Sequence, residues 1–333
     1  MQEIVGAGEG VNRKRDLSGE AYRCFLMFGI CLLHSIIFSS HNKVWLANLL
    51  ECCVPGFVFI SGYYGIRFTW RKFFYLWWVS AWCGVIMTVG HDILVEGGGY
   101  NIVKFIATVY GRTKSHWFLN DYAVLMLFAP ILNRGLEGIG KRELAATVLP
   151  LVLLAFGWSW MAVKFQRFFA LPCVSGFGSY TFLMMIGVYV VARLCRILEV
   201  ERSLRLWTVG LIFVASGVLV SVGGGHYASP FATIFAGSLF FLFKRLEGWL
   251  TKVGRIWTWC APSMFAVYLL HAEKEGMEFI KACEQFFVDS WGLSVPVFFL
   301  LTAGLMFAGG IAIDMCIRRL AEFGGKRIIN GRN

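Results

Sequence analysis

Ten long apolar runs constrain this sequence more than any other feature, at 21–38, 44–64, 71–90, 116–133, 144–162, 179–198, 204–222, 229–247, 257–271 and 293–315. About 20 residues at 1.5 Å per residue are enough for a helix to cross a bilayer core of ~30 Å. The runs are continuous and lack the polar alternation of a membrane β-barrel strand. They predict an all-α polytopic membrane protein with about ten transmembrane helices.

Composition agrees with this reading. Of the 333 residues, 58% are hydrophobic and 15% are charged, whereas an ordinary soluble domain has about 25% charged residues. These values exclude a soluble enzyme, a disordered chain and a small disulfide scaffold. The ten cysteines are scattered without a CxxC pair, so we interpret them as small buried side chains and expect no metal site.

The basic residues predict an orientation. They are concentrated in alternate connecting segments, and cytoplasmic loops are the ones enriched in Lys and Arg. The net charge of +11 therefore reflects this bias and does not indicate nucleic-acid binding. We predict a cytoplasmic N-terminal segment (1–20) without a cleavable signal peptide, a membrane domain (21–317) and a basic cytoplasmic tail (318–333), with both termini cytoplasmic.

The first helix carries two ionisable residues, Arg23 and His34. Their spacing of eleven residues places them about 20° apart around the helix and about 16 Å apart along it. Ionisable side chains within hydrocarbon are costly and usually functional. The alternatives are that Arg23 extends its charge to the lipid headgroups and that His34 bonds a neighbouring helix. Their shared face favours a functional pair.

The second helix contains Glu51 and two pairs of helix-loosening residues, Pro55-Gly56 and Ser61-Gly62. Such pairs predict local unwinding or close approach of a neighbouring helix. Glu51 is expected to face a water-filled vestibule or to pair with a histidine.

Three basic residues follow this helix, namely Arg67, Arg71 and Lys72. A helical spacing of four would put Arg67 and Arg71 on one face, where guanidinium groups bind phosphates well. The alternative is ordinary positive-inside charge.

Two later helices carry polar residues near their predicted outer ends. The fourth begins with His116 and Trp117, and Asp121 lies about one turn further in. The ninth ends at His271 and contains Pro262, which predicts a broken or tilted helix.

Taken in order, five pieces of the sequence resemble the integral-membrane acyltransferase 3 family of bacterial O-acyltransferases. They are Arg23-CFLMFGICLL-His34, PGFVFISGYY at 55–64, the basic residues Arg67, Arg71 and Lys72, HWFLNDYAVLMLFAPILN at 116–133, and SMFAVYLLH at 263–271. The specificity of the resemblance lies in the order of these short pieces along a ten-helix chain.

The resemblance implies transfer of an acyl group, usually acetyl from acetyl-CoA as co-substrate, to a hydroxyl of a cell-surface or lipid-linked carbohydrate. Under it, His34 is the expected general base, because a neutral imidazole suits proton transfer near pH 7. The other expected catalytic residues are Arg23, Glu51 and Asp121. The donor is assigned to Arg67, Arg71, Lys72, Ser61 and Tyr63, and the acceptor to His116, Trp117 and His271.

Two questions stay open at this stage. One is whether the hydroxyl attacks directly, which is favoured, or through an acyl-histidine. The other is whether the chain is instead a transporter or flippase of lipid-linked sugars, which should show internal repeats and paired broken helices.

The expected location is the inner (cytoplasmic) membrane. The expected partners are membrane lipids and a carbohydrate acceptor, with a homodimer left open and nucleic acid excluded.

Overall fold

A computed structural model of the chain describes residues 16–41, 43–91, 117–157, 180–222, 226–271 and 274–330. Helices dominate this part of the chain, and it contains no β-strand. The predicted all-α class is confirmed for the described residues.

The first half of the chain contributes α1 (Leu17–Ile37), α2 (Val44–Leu50), α3 (Cys53–Tyr64), α4 (Trp70–His91), α5 (Trp117–Gly138) and α6 (141–157). The second half contributes α7 (Tyr180–Ile197), α8 (Val200–Ser203), α9 (Leu206–Val222), α10 (Pro230–Arg245), α11 (Glu247–Leu250), α12 (Gly254–Cys260), α13 (Met264–His271), α14 (Lys274–Glu284) and α15 (Val295–Asn330).

Three helical stretches among the described residues are long and apolar enough to cross a membrane: Leu17–Ile37, Val44–Tyr64 and Val295–Arg319. A shorter apolar helix, Leu206–Val222, accompanies them. All four coincide with predicted spans, which supports a membrane protein. The count of ten spans and the side of the termini stay predictions.

Two predicted helix breaks are confirmed. Val44–Tyr64 turns at Glu51 and Cys52, between α2 and α3. Pro55 cannot donate to the Glu51 carbonyl, which accepts instead from the nitrogen of Val54 at 3.2 Å. Further along, a 3₁₀ turn at Ala261–Ser263 separates α12 from α13, at the position of Pro262.

Helix α1 lies at the centre of the described bundle, in contact with α2, α3, α10, α12, α13 and α15. Close approach also occurs on α3. A Cβ on Gly62 would lie 2.4 Å from the carbonyl oxygen of Tyr189, so only glycine allows α3 and α7 to pack this closely. The predicted close approach at Ser61-Gly62 is therefore confirmed.

Helix ends gather in two groups. At the first end, which we call the Asp16 end, Asp16 binds Lys244, Arg193 binds Glu137, and Arg245 donates to the carbonyls of Glu201 and Leu204. At the opposite end, the Glu51 end, Ser40 binds Glu284, Asn48 donates to Ser221, and Tyr227 donates to Glu51. Among the described residues, the segments that follow α1 and α9 lie at the Glu51 end, and those that follow α3, α7 and α10 lie at the Asp16 end.

Candidate active site

A cavity of about 460 Å³ lies beside α1. Its polar lining comes from Arg23, His34, Glu51, Ser61, Trp117, Tyr122, Tyr227 and Tyr268, and its apolar lining includes Phe57, Phe118, Pro262, Met264 and Phe265. Five of these side chains, Arg23, His34, Glu51, Ser61 and Trp117, are residues that the sequence pattern singled out. The fold therefore brings together residues from α1, α3 and α5 and from the turn between α2 and α3.

The shared face of Arg23 and His34 is confirmed, because both side chains line this cavity. Arg23 is held by Glu20, one turn earlier, with Nη1 3.2 Å from the carboxylate. Glu20 was not among the predicted site residues. Its position three residues before Arg23 on the same helix is the signal that could have identified it.

His34 is half-buried, and its Nδ1 atom has no hydrogen-bond partner within the described residues. The ring of His271 lies behind it, with the two centroids 4.9 Å apart. His271 is buried and does not belong to the described lining. Its Nδ1 donates to the carbonyl of Val267 at 2.5 Å, so in the neutral ring Nε2 carries the lone pair. His34 at the cavity wall is therefore packed against a second, buried histidine.

Glu51 lines the cavity from the break between α2 and α3. Its carboxylate accepts the backbone N–H of Tyr227 at 2.9 Å. The ring of Tyr227 stacks on Trp117 with centroids 5.0 Å apart and an interplanar angle of 20°. Glu51 and Trp117 thus share one wall with Tyr227, a residue that the sequence analysis did not identify.

Ser61 lines the cavity on α3 and donates to the carbonyl of Phe57 at 2.8 Å. Its oxygen also lies 3.2 Å from the hydroxyl of Tyr122 on α5. Since the hydrogen of Ser61 is directed to Phe57, Tyr122 is the natural donor within this pair. Two hydroxyl groups therefore meet at the wall of the cavity.

Asp121 is fully buried on α5 and lies outside the described lining of the cavity. Its carboxylate accepts a hydrogen bond of 2.5 Å from Thr181, the second residue of α7. The bond links α5 to α7, and the expected catalytic role of Asp121 stays a prediction.

A second cavity, of about 410 Å³, lies at the Asp16 end where α3 stops. Its lining includes Tyr63 and Arg67, two residues assigned from sequence to the donor. It also includes Arg193 and Arg196 of α7, which the sequence analysis did not assign to a site. Their spacing of three residues on one helix was the available signal.

The predicted common helical face of Arg67 and Arg71 is wrong. Residues 65–69 are not helical, because α3 ends at Gly65 with φ at 74° and α4 begins only at Trp70. Arg71 and Lys72 are exposed on the first turn of α4, and neither belongs to the described lining of the second cavity. His116 lies outside the described residues.

A family model described as an acyltransferase domain, acyltransferase 3, matches residues 20–315. The chain belongs to this acyltransferase family. The match begins in the first turn of α1 and ends within α15, so it contains every lining residue of both cavities. The resemblance noted from the ordered motifs is therefore confirmed. No curated protein sequence and no solved structure matches the chain.

Proposed function

We propose that this acyltransferase is a membrane-bound O-acyltransferase that moves an acyl group, typically acetyl, from acyl-CoA to a hydroxyl of a cell-surface or lipid-linked carbohydrate. The observation that carries the proposal is the single cavity that contains both Arg23 and His34. Family membership supports acyl transfer, and the cavity supports a histidine-based reaction within it.

The proposed chemistry is direct attack. His34 accepts the proton of the acceptor hydroxyl while the hydroxyl oxygen bonds to the thioester carbonyl carbon. The resulting tetrahedral intermediate then expels the thiolate of CoA, which takes the proton from the imidazolium. Ester and free thiol are formed, and His34 returns to its neutral state. Within the described residues the Nδ1 of His34 has no hydrogen-bond partner, which supports a ring that can hold and release a proton.

Donors to the developing oxyanion are needed in such a reaction. The hydroxyl of Tyr122 is proposed for this role, because at the cavity wall it can rotate its hydrogen from Ser61 to an oxyanion. Arg23 supplies a fixed positive charge on the same helix face as His34. His271 contacts His34 from behind, which supports a positioning role in place of the substrate-binding role expected from sequence.

The acceptor is proposed to bind near the Glu51 end. Stacked Trp117 and Tyr227 offer a flat apolar surface there, and Glu51 offers an acceptor for hydroxyl groups. Cavities that combine aromatic walls with a few polar groups are typical of small-molecule sites. The donor phosphates are proposed to bind basic residues at the Asp16 end, among which Arg67 lines a cavity. A multi-pass location in the cytoplasmic membrane follows from the predicted orientation.

The test is the acyl-CoA chemistry of His34 variants. We expect His34→Ala and His34→Gln to lower the rate of acetyl transfer or acetyl-CoA hydrolysis by about 10²- to 10⁴-fold, the usual contribution of a general base. His41→Ala is the matched control, because His41 pairs with Glu284 outside the described cavity lining. A folded His34→Ala protein with wild-type activity would refute the role of His34. A wild-type protein that consumes no acetyl-CoA would favour the transporter reading.

A further inference from the structure

The second cavity contains a concentration of guanidinium groups. Arg67, Arg193 and Arg196 all line it, and the acidic residue in its described lining is Glu137. Even with Glu137 ionised, the lining retains an excess positive charge. Such an arrangement is typical of sites for polyvalent anions, because guanidinium groups bind phosphate oxygens through paired hydrogen bonds.

The wall of this cavity is held in place by a small hydrogen-bond network. Asn133 donates to the carbonyl of Ile66 at 3.2 Å, and Tyr189 donates to Asn133 at 2.8 Å while accepting from the nitrogen of Ile66 at 3.0 Å. Gly65 adopts a φ of 74°, and a Cβ there would lie 3.1 Å from Nη1 of Arg193. The glycine therefore both allows the turn and leaves room for the arginine.

The arginines have donors left for a ligand. Arg193 binds Glu137, yet its Nε–H is buried and makes no hydrogen bond within the described residues. Arg196 donates to the hydroxyl of Tyr63 at 3.3 Å and lies 5.3 Å from the centroid of that ring. Each guanidinium carries five N–H groups, so these contacts orient the side chains and leave most of their donors available.

The two cavities adjoin through the last turn of α3. Ile60 and Ser61 line the main cavity, whereas Tyr63 and Tyr64 line the second. Two residues of a helix span only about 3 Å along its axis. Lining residues of the two cavities therefore lie within one turn of each other on α3, a separation much shorter than the pantetheine arm of coenzyme A.

We infer that the second cavity binds the phosphate groups of the acyl donor, with Arg67, Arg193 and Arg196 as their ligands, while the acyl-bearing arm enters the main cavity. This inference rests on the proposed function. It replaces Arg71 and Lys72, two of the basic residues assigned from sequence, with two arginines of α7. An anionic lipid headgroup offers the same phosphate chemistry, so the experiment separates the two sources.

The experiment measures binding of coenzyme A and of pantetheine, which lacks the nucleotide and its phosphates, to the full chain in phosphatidylcholine nanodiscs. We expect Arg67→Gln and Arg196→Gln each to weaken coenzyme A binding about tenfold, since a charge-assisted hydrogen bond contributes on this scale. Pantetheine binding should not change. Arg193→Lys keeps the charge opposite Glu137 and should weaken coenzyme A binding less than Arg193→Gln.

Arg202→Gln is the matched control, because this exposed arginine pairs with Glu199 outside the described lining of the cavity. Unchanged coenzyme A binding in both Arg67→Gln and Arg196→Gln would overturn the inference. If these two variants also bound phosphatidylglycerol more weakly than the wild type, the cavity would be identified as a headgroup site. A wild-type protein that binds neither coenzyme A nor pantetheine would instead refute the proposed donor, and with it this inference.

Discussion

Asp16 is a single carboxylate on which three parts of the chain converge. One oxygen caps α1 by accepting from the nitrogens of Ser18 and Gly19 at 3.1 and 3.3 Å. The other accepts from Lys244 at 2.7 Å and from the hydroxyl of Tyr64. Burial raises the pKa of Asp16, but hydrogen bonds from Lys244, Ser18 and Tyr64 outweigh burial and lower the pKa to about 2. The carboxylate therefore joins α1, α3 and α10 in its ionised form.

We predict that Asp16→Asn lowers the free energy of unfolding by about 1–2 kcal/mol near neutral pH, since it keeps a capping oxygen but loses the charge. A lowered pKa means that the stabilisation is complete above the ordinary value of 3.8 and is lost as pH falls through about 2. The destabilisation caused by Asp16→Asn should therefore be constant between about pH 5 and 8. Thermal unfolding in detergent measures it, with exposed Asp289→Asn as control. Equal effects of the two substitutions would contradict the prediction.

The broken helix at α12 and α13 is fixed by α15. Asp314 of α15 is buried, with 2% of its side chain exposed, and pairs with Arg318 at 2.7 Å. Arg318 also donates to the hydroxyl of Ser263, in the 3₁₀ turn, at 2.6 Å. Because Pro262 in that turn and Met264 directly after it line the main cavity, these contacts connect the position of α15 to the shape of the site.

We expect Arg318→Gln to lower the free energy of unfolding by about 2 kcal/mol or more, because it leaves the buried charge of Asp314 without its cation. Adding Asp314→Asn should restore part of the loss. Thermal unfolding followed by tryptophan fluorescence measures both effects. Arg319→Gln, at the neighbouring exposed residue, is the control. If Arg319→Gln were as destabilising as Arg318→Gln, a specific ion pair would be ruled out.

At the scale of the whole molecule, described segments that the positive-inside pattern assigns to opposite sides of the membrane gather at opposite ends of the bundle. The Asp16 end collects segments that the positive-inside pattern places in the cytoplasm, including those around Arg193 and Lys244. The Glu51 end collects the segments that the same pattern places outside, including those around Ser40 and Tyr227. The main cavity extends between Arg23 and Glu51, residues that belong to opposite halves of this arrangement.

We predict that a cysteine at Ser203 reacts with a membrane-impermeant maleimide only after the cells are permeabilised, whereas one at Lys43 reacts in intact cells. Loops rich in Lys and Arg stay in the cytoplasm, which gives the orientation its physical basis. Exposed Cys316 is first replaced by serine, and this parent protein is the background control. Labelling of both positions in intact cells, or the reverse pattern, would contradict the predicted orientation.

Sequence alone determined the class of the molecule and the face of its central helix. Long runs of apolar residues predict membrane-spanning helices, because backbone groups without hydrogen bonds are too costly in hydrocarbon. Helical periodicity places Arg23 and His34 on one face of a single helix. Pro55 and Pro262 marked helix breaks through their missing N–H groups. Each of these signals is local, so it can be read along the chain.

Only the tertiary structure decided which elements meet. The contact of His271 with His34, the pairing of Asp121 with Thr181 and the gathering of Arg67 with Arg193 join residues far apart in sequence. Arg67 and Arg71 were grouped wrongly because a helical spacing was applied across residues 65–69, where the chain is not helical. Packing of α3 against α7 places Arg193 and Arg196 at the second cavity, because Gly62 allows the backbones to approach. That proximity results from helix packing, which spacing along the chain does not encode.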